Sequence, residues 1–188
     1  MQKNYPKIYY FINEINLSDL SKLGKDINII YRNYESKLSH NNLLILKKFC
    51  QVSKRKLFIS NDIQCALKLK INGIYIPSFN KKINYVSSFN FPRNFEIIGS
   101  AHNFNEIQIK KKQGCKEIFL SPLFQIKKGK KILNIHNFNK LIVDKKLSYI
   151  ALGGINETNY KKIKLTRSSG FAAITWIKKN GLSKLRPF

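Results

Sequence analysis

Asn61-Asp62, directly behind the apolar run Leu57-Phe-Ile-Ser60, sets two oxygen ligands side by side in a chain with only ten carboxylate side chains. With so few acids, candidates for a general base or a metal ligand are quickly enumerated, and Asp62 stands out. Aspartate there also suits the N-cap of a helix starting at Ile63, since its carboxylate accepts the orphan N–H groups of a first turn; one residue can do both. Arg32 closes another apolar run. With Lys127, Lys128 and Lys130 it has the chemistry that clamps a pyrophosphate, although a lysine run equally describes a solvated surface. His102, behind Ser100, suits proton transfer or a plain hydrogen bond within a rim. Gly153-Gly154 ends a short apolar stretch begun at Tyr149. Glycines there let backbone N–H groups approach a phosphate with no Cβ in the way, or serve a tight turn without a ligand. The sequence has no Ser/His/Asp arrangement, phosphate loop or dinucleotide fingerprint.

The elements that must position these residues alternate along the chain. Short apolar runs predict strands at 7–13, 26–32, 56–60, 73–76, 95–99, 117–120, 148–152 and 171–174. Helical spacing predicts helices at 17–23, 41–52, 63–69, from 103 to about 113, at 138–144 and at 160–165. Asn156, Glu157 and Thr158 read as a polar helix start behind the two glycines. Residues 78–94 show no helical period, so a short or irregular crossover is expected there. Eight strands alternating with helical segments predict an α/β fold, a single parallel (β/α)8 TIM barrel. In such a barrel chemistry sits at the C-terminal ends of the strands, and the loops after strands seven and eight commonly cradle a phosphate. Those ends carry Glu14, Arg32, Asn61-Asp62, Ser78 to Asn80, Ser100 with His102, Ser121, Gly153-Gly154 and Thr175. The result is a basic, amide-rich rim. No Pro/Gly linker divides the chain, so one domain over 1–188 is expected, with a basic tail at 178–188 packing back through Leu182 and Phe188.

Composition excludes several classes. A chain with 43% hydrophobic and 12% aromatic residues is not disordered. No apolar run approaches a membrane span, and the N-terminal residues lack a signal-peptide core. Cys50, Cys65 and Cys115 are isolated and odd in number, which suits neither a disulfide framework nor a zinc site and fits a cytoplasmic setting. The net charge of +25 permits nucleic-acid binding. The lysines are nevertheless spread along the chain, and no nucleic-acid-binding signature is present, so general surface charge plus an anionic small substrate is the preferred reading. His40 and His136 show no site spacing.

These motifs resemble, in order over about 7–177, the thiamine phosphate synthase family and its thiazole tautomerase relatives. Arg32 resembles the arginine ending the family's second strand, and Leu57-Phe-Ile-Ser-Asn-Asp62 its third-strand motif ending in Asn-Asp. Gly73-Ile-Tyr-Ile76 is similar to the Gly-Val-His-Leu strand, and Ser100-Ala-His102 to the Ser-Ala-His motif. The stretch 114–124, ending Leu-Ser-Pro-Leu-Phe, is similar to the glycine-led strand with its Gly-Pro-Ile-Phe turn. Ile150-Ala-Leu-Gly-Gly-Ile155 and 172–177 resemble the two final strands.

The resemblance implies a transferase of thiamine biosynthesis that joins hydroxymethylpyrimidine pyrophosphate to hydroxyethylthiazole phosphate, releasing pyrophosphate. It implies that Arg32, Asn61 and Ser100 contact the pyrimidine pyrophosphate. Gly153, Gly154, Ile174 and Thr175 would hold the thiazole phosphate, with Lys128 and Lys130 supplying charge from the loop after strand six. Magnesium is the implied cofactor, held by Asp62 and, where the family has a second aspartate, by Asn80. The chain departs from the pattern in three places: Asn80 replaces that aspartate, Tyr34 stands where the family has a lysine, and 125–130 lacks the family's threonines. The tautomerase relatives use a histidine in the Ser-x-His region, which here is His102.

Overall fold

A period of two organises the strands. In β1 (Lys7–Ile12), Ile8, Tyr10 and Ile12 belong to the apolar layer that also takes in the helices, whereas Tyr9 and Phe11 belong to a second, inner cluster. Both faces are buried, as parallel strands covered by helices require. The same partition runs through β2 (Ile27–Tyr31), β3 (Leu57–Ser60), β4 (Gly73–Ile76), β5 (Glu96–Ala101), β6 (Glu117–Leu120), β7 (Ser148–Leu152) and β8 (Gly170–Ala173). Each strand pairs in parallel with the next, and β8 pairs with β1, so the sheet closes into an eight-stranded barrel. The computed structural model describes residues 6–24, 26–34, 39–126 and 131–180. Around the barrel run α1 (Leu17–Ser21), α2 (His40–Val52), α3 (Ile63–Lys68), α4 (Phe104–Lys112), α5 (Asn134–Leu141) and α6 (Thr175–Asn180). None of the described helices is long and apolar enough to cross a membrane.

The barrel interior is filled largely by aromatic rings. Tyr9 meets Phe119 edge-on with centroids 4.9 Å apart, and Phe11 meets Tyr75 at 5.1 Å. Such pairs add about 0.5–1.5 kcal/mol each beyond the area they bury. The N-terminal end of the barrel is closed by a polar knot. The buried Glu117 carboxylate accepts from Lys7 Nζ at 2.6 Å, from Ser148 Oγ at 3.1 Å and from the Tyr9 hydroxyl. Burial, together with the Glu117 charge, pushes the Tyr9 hydroxyl well above its ordinary range, so it stays protonated and donates.

The elements depart from sequence expectation in ways that bear on the site. Strand five runs on through Ser100 and Ala101, which pair with Phe119 and Leu120. The expected helix at 138–144 instead spans Asn134–Leu141, because Asn134 Oδ1 accepts the Asn137 N–H at 3.0 Å and Phe138 seats the helix in the core. Behind Gly153-Gly154 no α-helix begins. Asn156 Oδ1 accepts from the Thr158 N–H at 2.9 Å and Asn159 Oδ1 from the Asn156 N–H at 2.9 Å, which locks a turn. Only a 3-10 segment follows, Tyr160–Leu165. Asparagine side chains that satisfy the backbone locally compete with a helical turn, and here they win. Strand eight ends at Ala173, which leaves Ile174 exposed and Thr175 at the start of α6. Residues 78–94 contain only the short 3-10 turn Ile83–Tyr85, as the irregular crossover requires. The expected packing of Leu182 and Phe188 lies outside the described residues.

Candidate functional site at the barrel mouth

Because all eight strands are parallel, their C-terminal ends open on one face, and the predicted site residues gather there in two groups. The first sits at the ends of β2 to β5. Arg32 follows β2, its N–H bonded to the Ile12 carbonyl at 2.7 Å and its guanidinium 5.4 Å from the Phe11 ring centroid. Tyr34, half exposed, hydrogen-bonds the Ser60 hydroxyl at 2.7 Å and meets the exposed Phe79 ring edge-on at 5.4 Å. Burial raises the Tyr34 hydroxyl, while the Ser60 bond and the Arg32 charge oppose that rise. Tyr75, inside the barrel on β4, has Ser100 of β5 beside it; burial pushes its hydroxyl up, and Ser100 and Arg32 again work the other way. A cation, two tyrosines and two serines thus line the floor of the mouth.

Asn61, Asp62 and Asn80 form its wall. Asn61 takes a left-handed backbone (φ 58°), which asparagine tolerates better than most residues. Its carbonyl accepts the Tyr85 hydroxyl at 2.7 Å. Its Oδ1 accepts from Asn80 Nδ2 at 2.7 Å. Asp62 caps α3, its Oδ1 accepting the Cys65 N–H at 2.9 Å. The N-cap reading of Asp62 is therefore realised. Asn80 Oδ1 accepts the Lys82 N–H at 3.1 Å, so the amide turns its NH2, which cannot ligate a metal, toward Asn61. One capping carboxylate and an amide presenting hydrogens do not fit the magnesium pair the resemblance implies. No group of three or more His, Cys, Asp or Glu side chains suited to a metal occurs among the described residues.

The second group lies at the ends of β7 and β8, where a cavity of about 510 Å³ is lined by Gly153, Gly154, Ile174 and Thr175 together with Gln125 and Asn156. Both glycines have positive φ, 93° and 69°. A Cβ on Gly154 would lie 2.5 Å from the Phe124 carbonyl oxygen, and one on Gly153 2.8 Å from Pro122 Cα. The steric need for glycine thus comes first from the neighbouring loop after β6, before any ligand. The 3-10 segment behind them offers no α-helix N-terminus; what the cavity presents there are the turn's backbone N–H groups and Thr175, the first residue of α6.

His102, just past the end of β5, is bound to α4. Its side chain is 46% exposed and its Nδ1 lies 2.9 Å from Glu106 Oε2. The same oxygen accepts the His102 N–H at 2.9 Å, and Asn103 Oδ1 accepts the Glu106 N–H at 3.0 Å, so these residues form the N-terminal cap of α4. Burial raises the Glu106 carboxyl, but its bonds to His102 outweigh this and hold it below the usual range. Lys128 and Lys130 lie outside the described residues.

Sequence reading missed Lys110 and Gln113. Lys110, on the inner side of α4, and Gln113, at its C-cap, are both fully buried, and they hold the loop that carries Asn80. Lys110 Nζ donates to the carbonyls of Pro77 at 2.7 Å and Asn80 at 2.8 Å and to Gln113 Oε1 at 2.9 Å. Gln113 Nε2 donates to Asn80 O at 3.1 Å and Lys82 O at 2.9 Å. The available signal was a lysine three residues after Ile107, hence on the buried helix face.

The sequence model of the family described as thiamine monophosphate synthase matches residues 23–177. A thiamine-phosphate synthase of Prochlorococcus marinus (strain SARG) is 31% identical over 140 residues, covering 70% of this chain and 40% of that protein. A second, from Prochlorococcus marinus subsp. pastoris, is 28% identical over 122 residues, or 63% of this chain and 34% of that protein. The match therefore spans well under half the length of either relative. Among solved structures, the thiamine phosphate pyrophosphorylase from Pyrococcus furiosus superposes with a TM-score of 0.73 over 95% of this chain and 93% of that one, at 15% identity, a likeness of fold. A family match over most of the chain, on a closed parallel barrel, makes this chain a member of the thiamine monophosphate synthase family.

Proposed function

We propose that the protein is a thiamine phosphate synthase-like transferase that joins hydroxymethylpyrimidine pyrophosphate to hydroxyethylthiazole phosphate and releases pyrophosphate. The observation that carries this reading is the convergence of Arg32, the Asn61–Asn80 wall and the Tyr75–Ser100 pair at the mouth that also bears the Gly153-Gly154 turn. The bond from the pyrimidine's methylene carbon to the pyrophosphate oxygen breaks, the electron pair leaving with that oxygen. The thiazole nitrogen's lone pair then forms the new carbon–nitrogen bond. No proton or oxidant is needed, so the protein's work is to neutralise the leaving group and hold the two ligands in line.

Arg32 is the residue we assign to the pyrophosphate, its fork matching two phosphate oxygens. Asn61 and the Ser100 hydroxyl orient the pyrimidine end, with Tyr75 beside Ser100. The N–H groups of the Gly153-Gly154 turn, with Thr175, take the thiazole phosphate. No step is routed through a metal, because Asp62 and Asn80 do not fit one in this arrangement.

The test is formation of thiamine phosphate from the two purified substrates, beside an Arg32→Ala control. Product that falls at least about a hundredfold in the control supports the assignment. No product, with the thiazole phosphate still raising the melting temperature, would leave a phosphate-ligand-binding paralogue on a retained barrel.

A further inference from the structure

The Asn61–Asn80 contact is more than a missing carboxylate. Had position 80 carried a carboxylate, its oxygens would face Asn61 Oδ1 and need a cation between them. Here an amide hydrogen bond of 2.7 Å closes the same gap directly. Which end of Asn80 faces Asn61 is fixed, since the Lys82 N–H can bond only the amide oxygen. Nor is rotation easy. Lys110 and Gln113 pin the Asn80 carbonyl from α4, while the Tyr85 hydroxyl holds the Asn61 carbonyl on the other side. The fully buried Lys110 ammonium also sets a positive charge 2.8 Å from the Asn80 backbone oxygen, which disfavours a divalent cation placed close by.

We propose that the Asn61–Asn80 amide bridge takes the place of a divalent cation at this mouth, so that the site accepts a pyrophosphate-bearing ligand without metal. This rests on the reading of the mouth as a phosphate-ligand site, and Arg32 then meets the ligand's charge.

Two measurements test it. The first titrates Mn²⁺ alone into the wild type, Asn80→Asp and Asp62→Ala, with free Mn²⁺ read by electron paramagnetic resonance and folding checked by circular dichroism. The wild type should leave the free-ion signal undiminished, and Asn80→Asp should bind at least about tenfold tighter, since a second carboxylate completes a hard-oxygen pair. Wild-type binding as tight as that of Asn80→Asp, and abolished in Asp62→Ala, would overturn the proposal, as would an Asn80→Asp variant that gains nothing. The second measures inorganic pyrophosphate binding to the wild type by calorimetry, in magnesium and in chelator. Affinities within about twofold support the amide bridge, and a magnesium form binding tenfold tighter or more sinks it. Pyrophosphate that binds under neither condition would sink the reading of the mouth and with it the metal-free acceptance of the ligand, while the Mn²⁺ comparison would still decide whether the amide bridge excludes the cation.

Discussion

Lys110 Nζ lies 2.8 Å from the backbone oxygen of Asn80, thirty residues away in sequence. Through that contact a helix behind the barrel sets the position of a residue at its mouth. Burial lowers the Lys110 ammonium from its ordinary 10.5 to about 8. A lysine with a lowered folded pKa leaves the unfolded chain holding more protons between about pH 8 and pH 10.5, so stability rises with pH across that window.

Lys110→Met leaves buried carbonyls without a donor, at a cost of about 1–3 kcal/mol, but also removes the buried charge, so the two proteins should lie close in stability at pH 7. Between pH 8 and pH 10 the gap between the wild type and the variant should widen, because only the wild type gains from shedding that proton. Urea unfolding of both proteins at several pH values measures it. A gap that narrows over the window would show that burial does not disfavour the Lys110 charge.

Gly154→Ala should cost about 2 kcal/mol or more. A left-handed φ of 69° and a Cβ placed 2.5 Å from the Phe124 carbonyl oxygen both oppose the substitution. Thermal unfolding reads the loss. A variant as stable as the wild type would mean that the loop after β6 shifts freely.

Arg32→Lys tests whether the fork matters as well as the charge. Its guanidinium stands 5.4 Å from the Phe11 ring centroid, a contact worth about 0.5–1 kcal/mol. Stability should change by about that amount, whereas affinity for pyrophosphate should fall about tenfold because an ammonium cannot bond two oxygens in one plane. Calorimetry on both proteins separates the effects, and equal affinity would show that only charge is used there.

Glu117 offers the converse case, at the opposite end of the barrel. Glu117→Leu strands the buried Tyr9 hydroxyl and the half-buried Ser148 hydroxyl and should destabilise by about 2–4 kcal/mol; Glu117→Gln keeps an acceptor and should cost about 1. Per folded molecule, ligand affinity at the mouth should match the wild type in both. A loss of affinity equal to that of the Arg32 variants would contradict the separation of the two ends.

The glycine and asparagine positions show how far local sequence reaches. Gly153-Gly154 and Asn61-Asp62 were legible as turn and cap signals because the backbone states they favour are set within a few residues. The helix expected behind the glycines failed for a local reason too. Asn156 and Asn159 bond the turn's own backbone and Gly154, and helical spacing alone does not weigh that competition.

The sequence by itself determined the eight-stranded parallel barrel and the end of it on which candidate residues would stand. Strand period, helix spacing and turn residues are short-range properties, and parallel closure follows from their alternation. Only the tertiary structure decided that Asn80 turns its NH2 to Asn61, that Ser100 comes to lie beside Tyr75, and that a buried lysine on α4 anchors the mouth. Those contacts join residues 19 to 33 positions apart. Which end of an amide faces which neighbour, and where a buried ammonium finds its acceptors, depends on backbone groups that meet only once the barrel has closed.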